Sequence, residues 1–384
     1  MIRVASLPTA HPYVEHLAPP ATDPDDGVVR VPVPGAEPGR WDMPHEPVAR
    51  WLIEHRNEYD VVHLHLGLAE LCDAAALRAA LDEAAAPLVL TVHDLPTAGH
   101  PDPARLAAQL AATVPAADEL ITLTVGAARQ LLAEYGRTAH VLPHPHVVPE
   151  ALLSAPRVAH GGFVLGLYVG SLAAGVPTAL LDEAVRYATD HPGVRVQVHA
   201  NPDVMEPAVL GQEAMEPAAL GQDASGAGVA GVAVARSGPS AESFADALRR
   251  RASRGEVDLR IHRPSTVAEE IAALSDLDAL LVWDHRAHST WVEACFDLGV
   301  EILVPDRGHQ AEQRPCRRIG PEPGALGSAL QAAIEPRQAE RATATARLDE
   351  RRLVALAHRV LYEAVLGQGR HTATDAPAPS LGER

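Results

Sequence analysis

The sequence predicts an α/β chain built as two doubly wound parallel-sheet domains that face a cleft. Short apolar runs alternate with helical stretches from residue 2 to residue 142. The alternation restarts at 163 and continues to 304, and the two series are separated by a break near 150–160. Strands alternating with helices imply parallel sheets, and two such series imply two similar domains.

In the first series, 2–5 is a strand followed by a loop containing His11, and 28–33 is a second strand. Residues 44–59 carry Val48, Trp51, Leu52 and Ile53 at helical spacing. The run 61–66, VVHLHL, is a buried strand, 74–85 an alanine-rich helix, and 87–92 a strand ending at His93 and Asp94. Helix 103–112, strand 119–123, helix 125–135 and a short strand at 140–142 complete the unit. The second series reads as strand 163–169, helix 176–189, strand 194–200, helix 241–254, strand 258–262 and helix 266–274. Then comes 278–313, which reads as strand 278–283, loop, helix 290–298 stopped by Gly299, strand 301–304 and loop.

The expected organisation is a first domain over 1–150 and a second over 158–336. A low-complexity insertion at 203–240 interrupts the second domain, a long helix over 337–366 packs back, and 367–384 is a disordered tail. Within the insertion MEPAVLGQEA, from Met205, returns as MEPAALGQDA from Met215, which reads as a duplication in a surface loop rather than a solenoid.

Composition narrows the function classes. With 384 residues, 47% of them hydrophobic, the chain can bury two cores. A net charge of −18 argues against nucleic acid as a partner. There is no lysine, so every formal cation is arginine, which excludes a lysine Schiff base and a phosphate-loop lysine. Cys72, Cys295 and Cys316 are scattered, with neither metal spacing nor a disulfide framework. The opening residues lack a signal-peptide pattern and no apolar run spans a bilayer, so the expectation is a cytoplasmic protein without a transmembrane segment.

Candidate chemistry gathers where parallel strands end and helices begin. The loop before helix 290–298 carries His285, Arg286, His288 and Ser289, and reads as an anion-binding loop or as ordinary polar loop. Glu293 either accepts hydrogen bonds from vicinal hydroxyls or closes a capping box with Thr290. His93 and Asp94 face substrate, or pack and cap a turn. His63 and His65 share a strand face, as metal chelators or as hydrogen-bonded core residues. His144 and His146 suit an interdomain crossover, and Glu312 either binds a sugar hydroxyl or has no role.

The stretches DVVHLHLG, VLTVHDLP, ELITLTVGAARQLL, AHVLPHPHVV, FVLGLYVGSL and DALLVWDHRAHSTWVEACFDLGVEILVPDRG together resemble family-4-type, glycogen-synthase-like retaining glycosyltransferases of GT-B fold, in particular an actinobacterial subgroup. The resemblance implies an N-terminal acceptor domain, a C-terminal donor domain and a nucleotide-sugar donor in the cleft, with no metal or other cofactor. Glu293 matches the second glutamate of the family's Glu-x7-Glu motif, which holds the ribose. His93 matches the histidine that reaches the transferred sugar, and His11 lies in the loop near the diphosphate. The chain departs from the pattern in three places. His285 stands where the first glutamate belongs, the loop from Gly170 to Gly175 lacks the usual basic pair, and the first loop lacks the glycine pair. Diphosphate charge then falls to Arg263, Arg286, His288 and the amino end of helix 290–298, or is not met at all.

The expected function is transfer of a hexosyl unit, with retention, to an acceptor the sequence does not name: a sugar, a lipid or a natural product. The alternatives are an inactive GT-B partner or scaffold protein and a metal hydrolase using His63, His65, His93 and His144.

Overall fold

The computed structural model describes residues 1–9, 11–33, 45–66, 74–97, 102–153, 157, 161–169, 177–205, 241–262, 267–283, 287–334 and 343–374. The first lobe runs β1 (Ile2–Leu7), α1 (Pro12–Glu15), β2 (Val28–Arg30), α2 (His45–Glu54), β3 (Val61–Leu66), α3 (Ala74–Ala84), β4 (Leu88–Val92), α4 (Pro103–Thr113), β5 (Glu119–Thr122), α5 (Val125–Tyr135) and β6 (His140–Val141). The second runs β7 (Phe163–Val169), α6 (Thr178–Asp190), β8 (Val194–Ala200), α7 (Pro202–Met205), α8 (Ala241–Ser253), β9 (Asp258–Ile261), α9 (Val267–Ser275), β10 (Ala279–Leu281), α10 (Thr290–Leu298), β11 (Glu301–Pro305), β12 (Arg317–Ile319) and α11 (Ala325–Ile334). A last helix, α12, covers Ala344–Thr374.

Each lobe holds a six-stranded sheet, ordered β2-β1-β3-β4-β5-β6 and β12-β11-β10-β7-β8-β9. Every strand pair is parallel, as the sequence predicts. Strand order reverses between β1 and β3 in the first sheet and between β7 and β10 in the second. The crevice beyond the carboxyl ends of strands at such a reversal is where ligands bind in open α/β sheets.

Local sequence explains the boundaries. All six residues of β3 are buried, which suits a central strand covered on both faces. Asp102 caps α4 by accepting the Arg105 N–H, with Pro103 in the first turn, and Thr124 caps α5 through the Ala127 N–H. Gly136 and Gly299 end α5 and α10 in the left-handed region, at φ 66° and 70°. One face of the first sheet packs Val4, Val61, Val89 and Ile121 against Leu361, Tyr362 and Val365 of α12. Thus α12 starts beside the second lobe and packs back on the first.

Several boundaries move. α2 stops at Glu54, and the last helix, described from Ala344, runs past 366 to Thr374. Helices α1, α7 and α11 and strand β12 do not appear in the sequence reading. The duplicated insertion from residue 206 onward lies outside the described residues. Among the described residues no helix is long and apolar enough to cross a membrane.

Candidate functional site

Between the lobes lies a narrow crevice. The first lobe contributes His11 and Pro12, α9 contributes Ile271 and Leu274, and the amino end of α10 contributes Thr290 and Trp291. Glu270, half-buried, lines the same wall, and burial pushes its carboxyl up to about 7. His11 ends the loop after β1. Its Nδ1 accepts the Tyr13 N–H at 3.0 Å, and the residue is 1% exposed. Burial lowers its imidazole to about 3, so it stays neutral.

The amino end of α10 is capped from within the protein. Ser289 Oγ accepts the Trp291 N–H at 3.2 Å, so the cap is Ser289 and the expected Thr290–Glu293 capping box is not what starts this helix. The Ser289 N–H donates to Gln313 Oε1 at 3.1 Å, and Gln313 Nε2 donates back to the Ser289 carbonyl at 3.0 Å. The loop before it is tied to the first lobe, because the Ala287 N–H donates to Asp94 Oδ1 at 3.1 Å.

Glu293 is turned away from the cleft. It is 0% exposed, and both carboxylate oxygens are occupied. Gln313 Nε2 donates to Oε1 at 2.8 Å, while Arg314 Nε at 2.8 Å and Arg347 Nη2 at 2.9 Å donate to Oε2. Arg347 Nε also donates to Asp297 Oδ1 at 2.7 Å, and both arginines reach Glu350. Two guanidiniums therefore meet three carboxylates. Burial, with Asp297 close by, pushes the Glu293 carboxyl up to about 7 against the pull of Arg314 and Arg347, and Asp297 is raised as well. Holding a ribose needs an accessible carboxylate, and this one serves a buried ion network that joins α10 to α12.

Histidines form an array across the lobe interface. His63 is hydrogen-bonded to the Tyr362 hydroxyl at 2.7 Å and to Thr91 Oγ1 at 2.8 Å. His65 Nδ1 lies 3.3 Å from His93 Nε2. His93, 2% exposed, sits with its ring centroid 5.6 Å from His288 and 4.5 Å from Tyr13. His288 in turn stacks on His144 at 4.6 Å. Burial and neighbouring imidazoles hold His63, His65, His93 and His144 well below the usual histidine value. Both His63 nitrogens are engaged by hydroxyls, and among the described residues no group of three His, Cys, Asp or Glu is placed to hold a metal ion.

The geometry thus brings His11, Thr290 and the buried His93–His288 pair to the lobe interface and sets Glu293 behind it. Gly170, Arg263, His285 and Arg286 lie outside the described residues. Glu312 bridges the lobes: its Oε2 accepts the Gly126 N–H at 2.7 Å, and neighbouring His309 reaches Gln130 at 3.1 Å. The sequence reading missed Arg314, Arg347 and Glu270. The first two are 21 and 54 residues from Glu293, and spacing carries no sign of them. Glu270 left a signal: at i, i+1 and i+4 it shares a helix face with Ile271 and Leu274, a charge on an apolar stripe.

Residues 3–146 match the family model described as "Glycosyl transferase 4-like domain". No curated protein matches the chain. Among solved structures, the chain is similar to the pneumococcal O-GlcNAc transferase GtfA in complex with UDP and GlcNAc, with a TM-score of 0.54 at 11% identity over 84% of this chain and 60% of that one. It is also similar to a glycosyltransferase from Rickettsia africae, TM-score 0.51 at 10% identity over 88% and 85% of the two chains. A third is Anabaena Alr3699/HepE in complex with UDP and glucose, TM-score 0.50 at 15% identity over 85% and 81%. At these identities the likeness concerns the fold. The chain has the two-lobed GT-B fold of glycosyltransferases, and its residues 3–146 carry a Glycosyl transferase 4-like domain.

Proposed function

We propose that the protein transfers a hexosyl unit from a nucleoside-diphosphate sugar to an acceptor, with retention. The observation that carries this reading is the cleft itself. It opens at the amino end of α10, the helix that follows β10, and its far wall is the loop after β1 in the first lobe. In the reaction the bond between the sugar's anomeric carbon and the diphosphate oxygen breaks. The acceptor oxygen bonds the same carbon from the same face, and the acceptor proton passes to the departing diphosphate. His93, buried against Tyr13 and His288, supports the wall behind the cleft rather than touching the sugar. Arg286, His288 and the first turn of α10 stabilise the charge that develops on the leaving group. Ser289 faces the diphosphate, and Gly170, Arg263 and His285 keep the diphosphate-binding role that the sequence resemblance implies for them. Glu293 holds α10 in place rather than touching the donor. No metal is required, since dipoles and basic side chains supply the countercharge.

A second reading, an inactive GT-B partner protein, is favoured by one observation: Gln313 and Ser289 already serve backbone groups at the α10 amino end. A screen of UDP-, GDP- and dTDP-sugars for diphosphate release separates the two. Turnover of one donor supports the transferase, and a screen in which no donor binds or reacts refutes it.

A further inference from the structure

The chain passes between the lobes twice, at the crossover after β6 and again at α12, and one buried ion network holds both passes to α10. Asp297 Oδ2 accepts the N–H groups of Val147 and Val148 in the crossover at 3.2 and 3.5 Å, and Arg314 Nη2 donates to the His144 carbonyl at 3.1 Å. Arg347 brings in α12 through Glu293 and Asp297. With Glu293, Asp297 and Glu350 all ionised against Arg314 and Arg347, one negative charge is left over in a buried site, and a proton relieves such an excess. That proton has no ready acceptor at Glu293. Oε2 already receives N–H groups from both arginines, and Oε1 receives the Gln313 amide NH2. Gln313 is itself committed: its Oε1 accepts the Ser289 N–H and its Nε2 donates to the Ser289 carbonyl, so the backbone fixes which end of the amide is which. A protonated Glu293 therefore competes with the amino end of α10 for Gln313.

We propose that Glu293 and Gln313 form a proton switch, in which protonation of Glu293 turns the Gln313 amide and releases Ser289, loosening the loop before α10 at the edge of the crevice. In the ionised state Gln313 bridges Glu293 and Ser289, and the loop is held. A proton taken from solvent bonds Glu293 Oε1. The Gln313 oxygen then turns to accept that O–H, and its NH2 is left facing the Ser289 N–H, donor against donor. The folded carboxyl titrates at about 7 against an ordinary 4.5, so the held state prevails above that value and the released state below it. The other groups that face Glu293 are Asp297 on its own helix, Arg314 before β12, Arg347 and Glu350 on α12, and Tyr13 from α1. Around the loop stand Asp94, bonded to the Ala287 N–H, and His93 and His144, whose rings face His288. The switch belongs to the ligand-free protein and does not depend on the donor reading above.

The test is hydrogen exchange of the Ser289 amide, read by NMR in the ligand-free protein from about pH 6 to about pH 8.5 and corrected for the intrinsic pH dependence of amide exchange. Wild-type protection is expected to be about fivefold or more higher at the alkaline end, with a midpoint near 7. Glu293→Gln, whose amide has the shape of the neutral acid, should show the low protection throughout. If it does not fold, Gln313→Ala, which removes the relay and leaves the ions in place, should likewise be low and flat. Glu270→Gln is the control, because burial raises that carboxyl to about 7 as well, and it should keep the wild-type transition. Flat protection in the wild type, a transition that survives in Glu293→Gln or Gln313→Ala, or one abolished by Glu270→Gln overturns the switch. The donor screen bears only on the transferase reading, so the two fail separately.

Discussion

Replacing Arg347 with methionine removes the charge that joins α12 to α10 while keeping much of the side-chain volume. Arg347 is 1% exposed and donates to both Glu293 and Asp297, at 2.9 and 2.7 Å, and each of those is 0% exposed. Removing one partner of a buried pair leaves an uncompensated charge and costs about 3–5 kcal/mol. For a domain of this size that is roughly 6–20 °C in Tm. The pH dependence gives a sharper signature. The Glu293 carboxyl rises from an ordinary 4.5 to about 7 in the folded protein, so the folded state binds more protons than the unfolded chain between those values. Its contribution to stability therefore falls as pH rises through that window. Without Arg347 the carboxyl moves higher still, so the deficit of the variant should be largest above pH 7 and shrink toward pH 5. Urea unfolding of both proteins at pH 8 and pH 5 measures this. A Glu293→Gln partner mutation should recover part of the loss at pH 8. A deficit below about 1 kcal/mol, or one equal at both pH values, would refute the assignment of a coupled ion network.

Acid should weaken the wild type as a whole. His11, His146 and His358 are lowered to about 3, 3 and 4, and His63, His65, His93 and His144 lie well below the ordinary 6.5. The unfolded chain binds protons first, so stability is complete above pH 6.5 and is lost as pH falls toward 4, and these histidines outweigh the opposite slope of Glu293. A urea midpoint that stays flat from pH 7.5 to 5 would contradict this. Gly126→Ala should loosen the lobes, because a Cβ there would meet Glu312 Oε1 and His309 Nδ1 at 2.2 Å. Those flexible side chains would swing aside at little cost to stability, and faster hydrogen exchange over 309–313 with an unchanged Tm is the expected result. Ser289→Ala removes the α10 cap and should cost about 1 kcal/mol, read by chemical denaturation.

The fold was legible because each central strand is an apolar run too short for a helix, and each helix is bounded by a readable signal. VVHLHL is β3 to the residue, and Gly299 ends α10 as its position suggests. What stayed hidden had no such signal. β12 begins with two arginines at a sheet edge, and α1 is a four-residue turn that depends on a buried histidine cap. The site was half legible for the same reason. Strand ends placed His11 and His93 at the lobe interface, whereas the fate of Glu293 depends on arginines brought in by β12's approach and by the last helix, at distances along the chain that no local pattern encodes.

The central claim is that a nucleoside diphosphate binds between the lobes at the amino end of α10. Hydrogen–deuterium exchange with and without saturating diphosphate tests it most directly. The account predicts slower exchange in two peptides at once, 8–16 in the first lobe and 287–294 in the second. Binding that leaves both peptides unprotected, or protects only a surface elsewhere, would contradict it.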